Sequence, residues 1–254
     1  MPGERPFLSL VIPAYNEAAR LPGTLPAALE FVEAQPYAAE VIVVDNNSVD
    51  ATRAIAEAAA RSHPVLRVIG EPQRGKGAAV RAGALAARGE YIFFADADFS
   101  MPVAEIANFL PPVRRDFEVA IGSREAPGAV RYDEPQLRHL MGRAFNWLVQ
   151  LLLLPGLRDT QCGFKCFHRP AAEAIFRRQR MTDWTFDVEL LFIARRLGCR
   201  IVEVPIHWRY QEHSRIHPWR DAARMAWGVL RLRWNGWRGV YGRPAGDPPS
   251  TVNE

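Results

Sequence analysis

Cysteine is scarce in this chain, and no apolar stretch runs far without a break. The 254 residues hold three cysteines, Cys162, Cys166 and Cys199, too few for a disulfide framework. Cys162-x-x-x-Cys166 lacks a second pair at zinc-site spacing, so buried free thiols in a reducing, cytoplasmic setting are expected. The longest apolar run, residues 147–154, is interrupted by Gln150 and falls short of the ~20 residues that span a bilayer. The N-terminal MPGERPFLSLVIPAYNE has no basic segment leading into a long apolar one, so no signal peptide is expected. A Walker-type loop is missing, and no G-x-G-x-x-G follows the first predicted strand. Those absences exclude a P-loop ATPase and a dinucleotide oxidoreductase. No basic-aromatic stacking sheet is evident, so nucleic acid is not an expected partner.

What is present suits a large single core. Apolar residues make up 48% and charged residues 24% of the chain, with a net charge of +4 and a pI near 9.2. The basic excess is uneven: residues 195–243 are rich in Arg and Trp. Short apolar runs at 7–12, 41–44, 65–69 and 91–95 alternate with helical patterns at 16–36, 51–61 and 78–87. Strand and helix alternating in this way imply right-handed crossovers and an α/β fold with a mostly parallel central sheet flanked by helices. Further on, the pattern predicts a helix at 102–110, a strand at 118–122, a mobile loop at 125–135 and a wide-faced helix at 137–154. Strands at 160–167 and 201–208 flank a helix at 187–197, and residues 218–241 read as an amphipathic helix. Three prolines and no apolar pattern mark 243–254 as a disordered tail.

The chemistry gathers at strand ends. Strand 91–95 delivers Asp96-Ala97-Asp98, strand 7–12 runs into Pro13-Ala14-Tyr15-Asn16-Glu17, and strand 41–44 ends at Asp45. In open α/β sheets ligands bind at the carboxyl ends of strands. Two carboxylates spaced i and i+2 beside an apolar strand repel each other unless a cation joins them, and a hard divalent ion carrying phosphates satisfies both. Taken alone, an Asp-x-Asp would pass for a solvated acidic turn. With Asp45 or Glu17 to accept ribose hydroxyls, and Arg74 and Lys76 of the RGKG turn to meet a pyrophosphate, the set fits a metal-held nucleotide diphosphate.

The ordered segments VIPAYNE, VVDNNSVDAT, RGKGAAVRAG, YIFFADADFS and IGSR resemble glycosyltransferase family 2 of the GT-A, Rossmann-like fold. DTQCGFKCF, WTFDVELL and EVPIHW are similar to the branch holding dolichyl-phosphate β-glucosyltransferases and prokaryotic polyprenyl-phosphate relatives, with dolichyl-phosphate mannose synthase next nearest. The resemblance covers residues 7–217. It implies that Pro13, Tyr15, Glu17, Val43 and Asp45 hold base and ribose. It further implies that Asp96, Ala97 and Asp98 hold diphosphate and Mg²⁺ or Mn²⁺, and that Arg124 approaches a donor or acceptor phosphate. Arg209 and Arg215 fall on two basic positions that close over the diphosphate. Two departures stand out: Asn46-Asn47 replaces the usual Asp-Gly, and Arg215 replaces Lys.

A sugar-hydroxyl acceptor needs a general base, for which Asp187 or Glu189 is available. A phosphate monoester, with a second pKa near ~6, is already mostly dianionic and needs cations instead. The Arg-rich C-terminal part favours the phosphate. The expectation is therefore an inverting, metal-dependent transferase moving glucose from UDP-glucose to a polyprenyl or dolichyl phosphate. Its alternatives are mannose from GDP-mannose, or a soluble hydroxyl acceptor with Asp187 as base. Residues 1–217 form the catalytic unit, with a nucleotide-sugar half at about 1–124 and an acceptor half at 125–217. Trp219, Ala223, Ala226, Leu230, Trp234 and Trp237 recur at helical spacing among arginines, which suits peripheral binding at the cytoplasmic face of a membrane. The helix at 144–154 is read as a core helix. Lys165 is read as solvated, His207 as half-buried, and Trp184 as a wall for the sugar or a core aromatic.

Overall fold

The computed structural model describes residues 5–211 and 218–242. Its centre is a seven-stranded sheet in the order β3-β2-β1-β4-β7-β5-β8. These strands are β1 (Leu8–Ala14), β2 (Ala39–Asp45), β3 (Leu66–Gly70), β4 (Tyr91–Ala95), β5 (Val119–Ser123), β7 (Phe164–His168) and β8 (Ile201–Pro205). All run parallel except β7, which lies antiparallel between β4 and β5. The α/β reading with a mostly parallel sheet therefore holds. The apolar strands β1, β2 and β4 are buried on both faces because helices cover both.

Residue alternation along the strands sorts the interior into two layers. Leu8, Leu10, Ile12, Val41, Val43, Phe93 and Ala95 face a core shared with α1 (Leu21–Glu33). α2 (Thr52–Ala60) and a 3-10 helix (Val103–Phe109) close that side. Val11, Ile42, Val44, Ile92 and Phe94 face the other core, built with α3 (Lys76–Ala86), α5 (Arg169–Arg178) and α6 (Phe186–Arg196). α4 (Gln136–Leu152) and α7 (Pro218–Trp237) pack together on that second side.

Several local expectations need correction. The first helix starts at Leu21 rather than Asn16, because Asn16 sits at φ 52° in a turn whose amide is held by Ser48 Oγ at 3.0 Å. The segment 125–135, expected as a loop, carries a short strand. It contains β6 (Val130–Tyr132), which pairs parallel with β9 (His207–Arg209) in a small second sheet. Helix α5 was missed, since its sequence RPAAEAIFRR carries too short an apolar stripe to stand out. The helix α4 is half a core helix: Asn146 and Val149 are buried, while Leu137, Leu140, Trp147 and Leu151 lie exposed. The predicted tail at 243–254 and Arg215 lie outside the described residues.

Candidate active site

Three parallel strands end side by side. The register pairs Ala14 with Asp45 and Val11 with Phe94, so the polar segments after β1, β2 and β4 share one edge of the sheet. On that edge Tyr15 is exposed, Glu17 carries Arg20 at 3.0 Å, and Asp45 is buried with Ser48 N–H donating to its Oδ1 at 3.2 Å. Pro13 and Val43 are fully inside the strand core, so they can support a ligand only from beneath.

After β4, Asp96 and Asp98 straddle the buried Ala97. Lys76, the first residue of α3, brings Nζ to 2.5 Å from Asp96 Oδ1. Asp96 Oδ1 is a buried oxygen whose ion-pair partner is the Lys76 ammonium. Burial and the Asp96 charge together raise the pKa of Asp98, although Ser100 N–H donates to it at 3.0 Å. Lys76 thus balances Asp96, while Asp98 is held by the Ser100 amide. Gly163, just before β7, lies against Asp96, and a Cβ there would stand 2.0 Å from Asp96 Oδ2. Any side chain there would force the Asp96 carboxylate to move.

Under this floor lies a second ion pair. Lys165 Nζ, 0% exposed on β7, sits 2.5 Å from Asp187 Oδ1 and donates to the Cys162 carbonyl at 2.5 Å. The Phe94 ring lies 5.3 Å from the same ammonium. Lys165 is therefore a buried cation, not the solvated lysine expected from sequence. β7 pairs it with Phe94 and points it into the α6 layer. Burial raises the pKa of Asp187 against the opposing pull of Lys165 and Lys76. Glu189, two residues on, is fully buried; it accepts from Tyr241 Oη at 2.7 Å and from the Met181 and Arg180 amides. The carboxylates of FDVE are both engaged.

Arg124, at the end of IGSR, makes a two-pronged contact with Asp159: Nε to Oδ2 at 2.7 Å and Nη2 to Oδ1 at 2.9 Å. Burial opposes ionisation of Asp159, but the Arg124 charge and hydrogen bonds outweigh it and bring the carboxyl down to about 2. The guanidinium also lies 5.2 Å from the Trp208 ring. Asp159 escaped the sequence reading, and its signal was its place at the head of DTQCGFK. Arg209 is exposed on β9, 3.5 Å from Asp133 and 5.2 Å from the Tyr132 ring. Its backbone N–H donates to the Ser100 carbonyl at 2.8 Å, which ties β9 to the Asp-x-Asp turn. Arg74 is exposed on the RGKG turn. Trp184 is exposed, not a core aromatic, with Lys76 Nζ 5.6 Å from its ring. His207 is exposed rather than half-buried, and its Nδ1 lies 2.7 Å from Glu105.

The arrangement is a shallow edge with paired carboxylates in its floor, cations beside them and an aromatic at its rim. Residues 9–179 match the family described as Glycosyl transferase family 2. The dolichyl-phosphate beta-glucosyltransferase of Dictyostelium discoideum is 31% identical over 249 residues, covering 92% of this chain and 76% of that protein. The Homo sapiens dolichyl-phosphate beta-glucosyltransferase is 36% identical over 245 residues, covering 89% of this chain and 74% of that protein. A solved glucosyl-3-phosphoglycerate synthase from Mycobacterium tuberculosis, in complex with Mn²⁺, UDP-glucose and phosphoglyceric acid, shares the fold. Its TM-score is 0.63 at 19% identity, over 95% of this chain and 82% of that one. The chain belongs to glycosyltransferase family 2 and is a glycosyltransferase of GT-A fold.

Proposed function

We propose that this enzyme transfers glucose from UDP-glucose to a polyprenyl or dolichyl phosphate, with inversion, giving a β-linked glycosyl phosphate lipid. The names of the relatives support the sugar and the lipid. The observation that carries the acceptor class is the state of the candidate bases. Asp187 is buried and held by Lys165, and Glu189 is buried and held by Tyr241. A hydroxyl nucleophile would find neither free to take its proton. A phosphate monoester, dianionic above its second pKa of ~6, brings its own nucleophilic oxygen.

The donor site is assigned to the edge formed by β1, β2 and β4. Asp45 and Glu17 accept ribose hydroxyls, with Tyr15 beside the base and Pro13 and Val43 beneath it. The floor fits a divalent cation such as Mg²⁺ or Mn²⁺. Asp96 and Asp98 lie beside each other at the end of β4, and burial together with the Asp96 charge raises the pKa of Asp98, which a bound cation would relieve. Among the described residues no third carboxylate, His or Cys completes a protein cage. Hard cations of this kind take phosphate and water oxygens as their remaining ligands. Asp96 and Asp98 would hold the ion, which neutralises charge on the departing diphosphate. Lys76, Arg74, Arg209 and Arg215 supply the remaining positive charge, and Ala97 keeps the turn tight. Arg124 acts through its Asp159 pair, fixing the loop that carries Gly163 under the carboxylates. In this reading residues 1–124 supply most of the donor site, residues 125–217 would supply the acceptor side, and Arg209 and Arg215 reach back to the donor diphosphate.

The membrane assignment rests on the outer faces of α4 and α7. Trp227, Leu230, Trp234 and Trp237 form an exposed stripe on α7, with Trp237 79% exposed, and Arg224, Arg231, Arg233 and Arg238 flank it. Trp147 and Leu151 extend the apolar surface onto α4. Among the described residues no helix is long and apolar enough to cross a membrane, and this face suits peripheral contact with an anionic cytoplasmic leaflet. The deciding experiment offers UDP-glucose and GDP-mannose, each with Mg²⁺ or Mn²⁺, to a short-chain polyprenyl phosphate. Label entering the organic phase from UDP-glucose supports the proposal. Label entering only from GDP-mannose would transfer the assignment to the mannosyl reaction.

A further inference from the structure

The Asn46-Asn47 departure from the family pattern has a structural consequence at the donor site. Asn46 follows β2 directly and is 4% exposed. Its Nδ2 donates to the carbonyls of Glu71 at 3.0 Å and Gln73 at 2.7 Å, and its Oδ1 accepts the Gly75 N–H at 2.8 Å. One side chain therefore spans the whole turn between β3 and α3. A primary amide supplies two N–H donors and a carbonyl acceptor, whereas an ionised carboxylate only accepts. An aspartate at this position would face two carbonyl oxygens without a proton to offer either.

What the amide fixes is the entry to α3. Gly75 sits at φ 129°, and a Cβ there would stand 2.3 Å from the Thr182 carbonyl oxygen. The following Gly77 N–H donates to that same carbonyl at 3.0 Å. Between them Lys76 projects to Asp96. Asn47, exposed at φ 59°, takes the left-handed conformation that asparagine tolerates better than most residues.

We propose that Asn46 is a positioning residue, whose amide locks the RGKG turn and so sets Lys76 against Asp96 and the donor diphosphate. The proposal rests on the donor-site assignment above. It predicts that in this chain, unlike relatives with aspartate at the position, the turn depends on the amide's two donors as well as its acceptor.

The test titrates UDP and GDP with Mn²⁺ against wild type, Asn46→Asp, Asn46→Ala, Lys76→Ala and the Asn46→Asp/Lys76→Ala double variant. Hydrogen exchange over residues 71–77 and saturation-transfer binding of the bare nucleosides accompany it. Asn46→Asp is expected to speed exchange in 71–77 and weaken diphosphate binding about tenfold, the equivalent of one or two net hydrogen bonds. Nucleoside binding should stay within about twofold, and the loss should vanish in the Lys76→Ala background. Asn46→Ala removes the bonds without the repulsion and covers the case in which Asn46→Asp does not fold; a smaller loss of the same pattern is expected. Wild-type diphosphate affinity in both variants, equal weakening of the nucleoside, or full additivity with Lys76→Ala would each overturn the proposal. If Lys76→Ala and Asp98→Ala leave diphosphate binding unchanged while Asn46→Asp still loosens the turn, the donor-site assignment itself is wrong and the proposal falls with it.

Discussion

Replacing Asp187 with asparagine separates the two acceptor chemistries most sharply. Lys165 is 0% exposed, and its ammonium has the Asp187 carboxylate and the Cys162 carbonyl as partners, each at 2.5 Å. Removing one partner of a buried ion pair costs ~3–5 kcal/mol, because the remaining charge is left unpaired. Asparagine keeps a carbonyl oxygen for Lys165, which places the cost near the low end, about 3 kcal/mol. A domain of this size loses about 2–4 °C of Tm per kcal/mol. The thermal midpoint of Asp187→Asn should therefore fall by roughly 6–12 °C, leaving a protein that is folded at 20 °C. Single-turnover transfer to polyprenyl phosphate, normalised to folded enzyme, should then stay within about tenfold of wild type. Loss of a true general base costs about 10²–10⁴ in rate. A hundredfold or greater loss with an unchanged Tm would refute the structural role and restore the hydroxyl-acceptor mechanism. The paired replacement Lys165→Met with Asp187→Leu should recover most of the lost stability, since an apolar pair removes both charges together.

Three further outcomes follow from the geometry. Gly163→Ala places a Cβ 2.0 Å from Asp96 Oδ2, so Mn²⁺-dependent nucleotide binding, read by calorimetry, should weaken at least about tenfold, in keeping with a carboxylate displaced from its metal. Asp159, ordinarily 3.8 and held at about 2 by Arg124, contributes stability that is full above pH 4 and is lost as pH falls through 2. That shift is worth about 2 kcal/mol, so Asp159→Asn should flatten the acid limb of a urea-denaturation series while lowering stability at pH 7. Replacing Trp234 and Trp237 together by alanine should abolish sedimentation with anionic vesicles yet leave turnover on a detergent-solubilised acceptor unchanged. Undiminished vesicle binding would remove α7 from the membrane face.

Much of the fold was legible because the strands announce themselves. LSLVIPA, AEVIVVD and YIFFA are apolar on both faces, a pattern that a doubly covered parallel sheet demands. Their polar endings converged because adjacent parallel strands finish at the same edge. What escaped was set by tertiary packing. Nothing local says that Lys165 is buried; the antiparallel insertion of β7 beside β4 does that, pairing Lys165 with Phe94. The Arg124–Asp159 pair joins residues 35 apart, with β6 and α4 between them, and no periodicity reports it. Helix α4 was taken for core because its apolar face is wide. In the fold Asn146 and Val149 are buried, Phe145 and Leu152 pack partly on the core, and Leu137, Leu140, Trp147 and Leu151 face out. The Asn46 amide read as a mere departure from pattern until its three partners on the 71–75 turn were visible.

The central claim is that the sugar goes to a lipid phosphate and not to a hydroxyl. Its most direct test gives the enzyme UDP-glucose, Mn²⁺ or Mg²⁺, and equal amounts of a polyprenyl phosphate and the matching polyprenol, with products identified by mass spectrometry. The account predicts glucosyl polyprenyl phosphate and no glucosyl polyprenol. Glucosylated alcohol in comparable yield, or product from neither lipid while a soluble sugar alcohol is glucosylated, would contradict it.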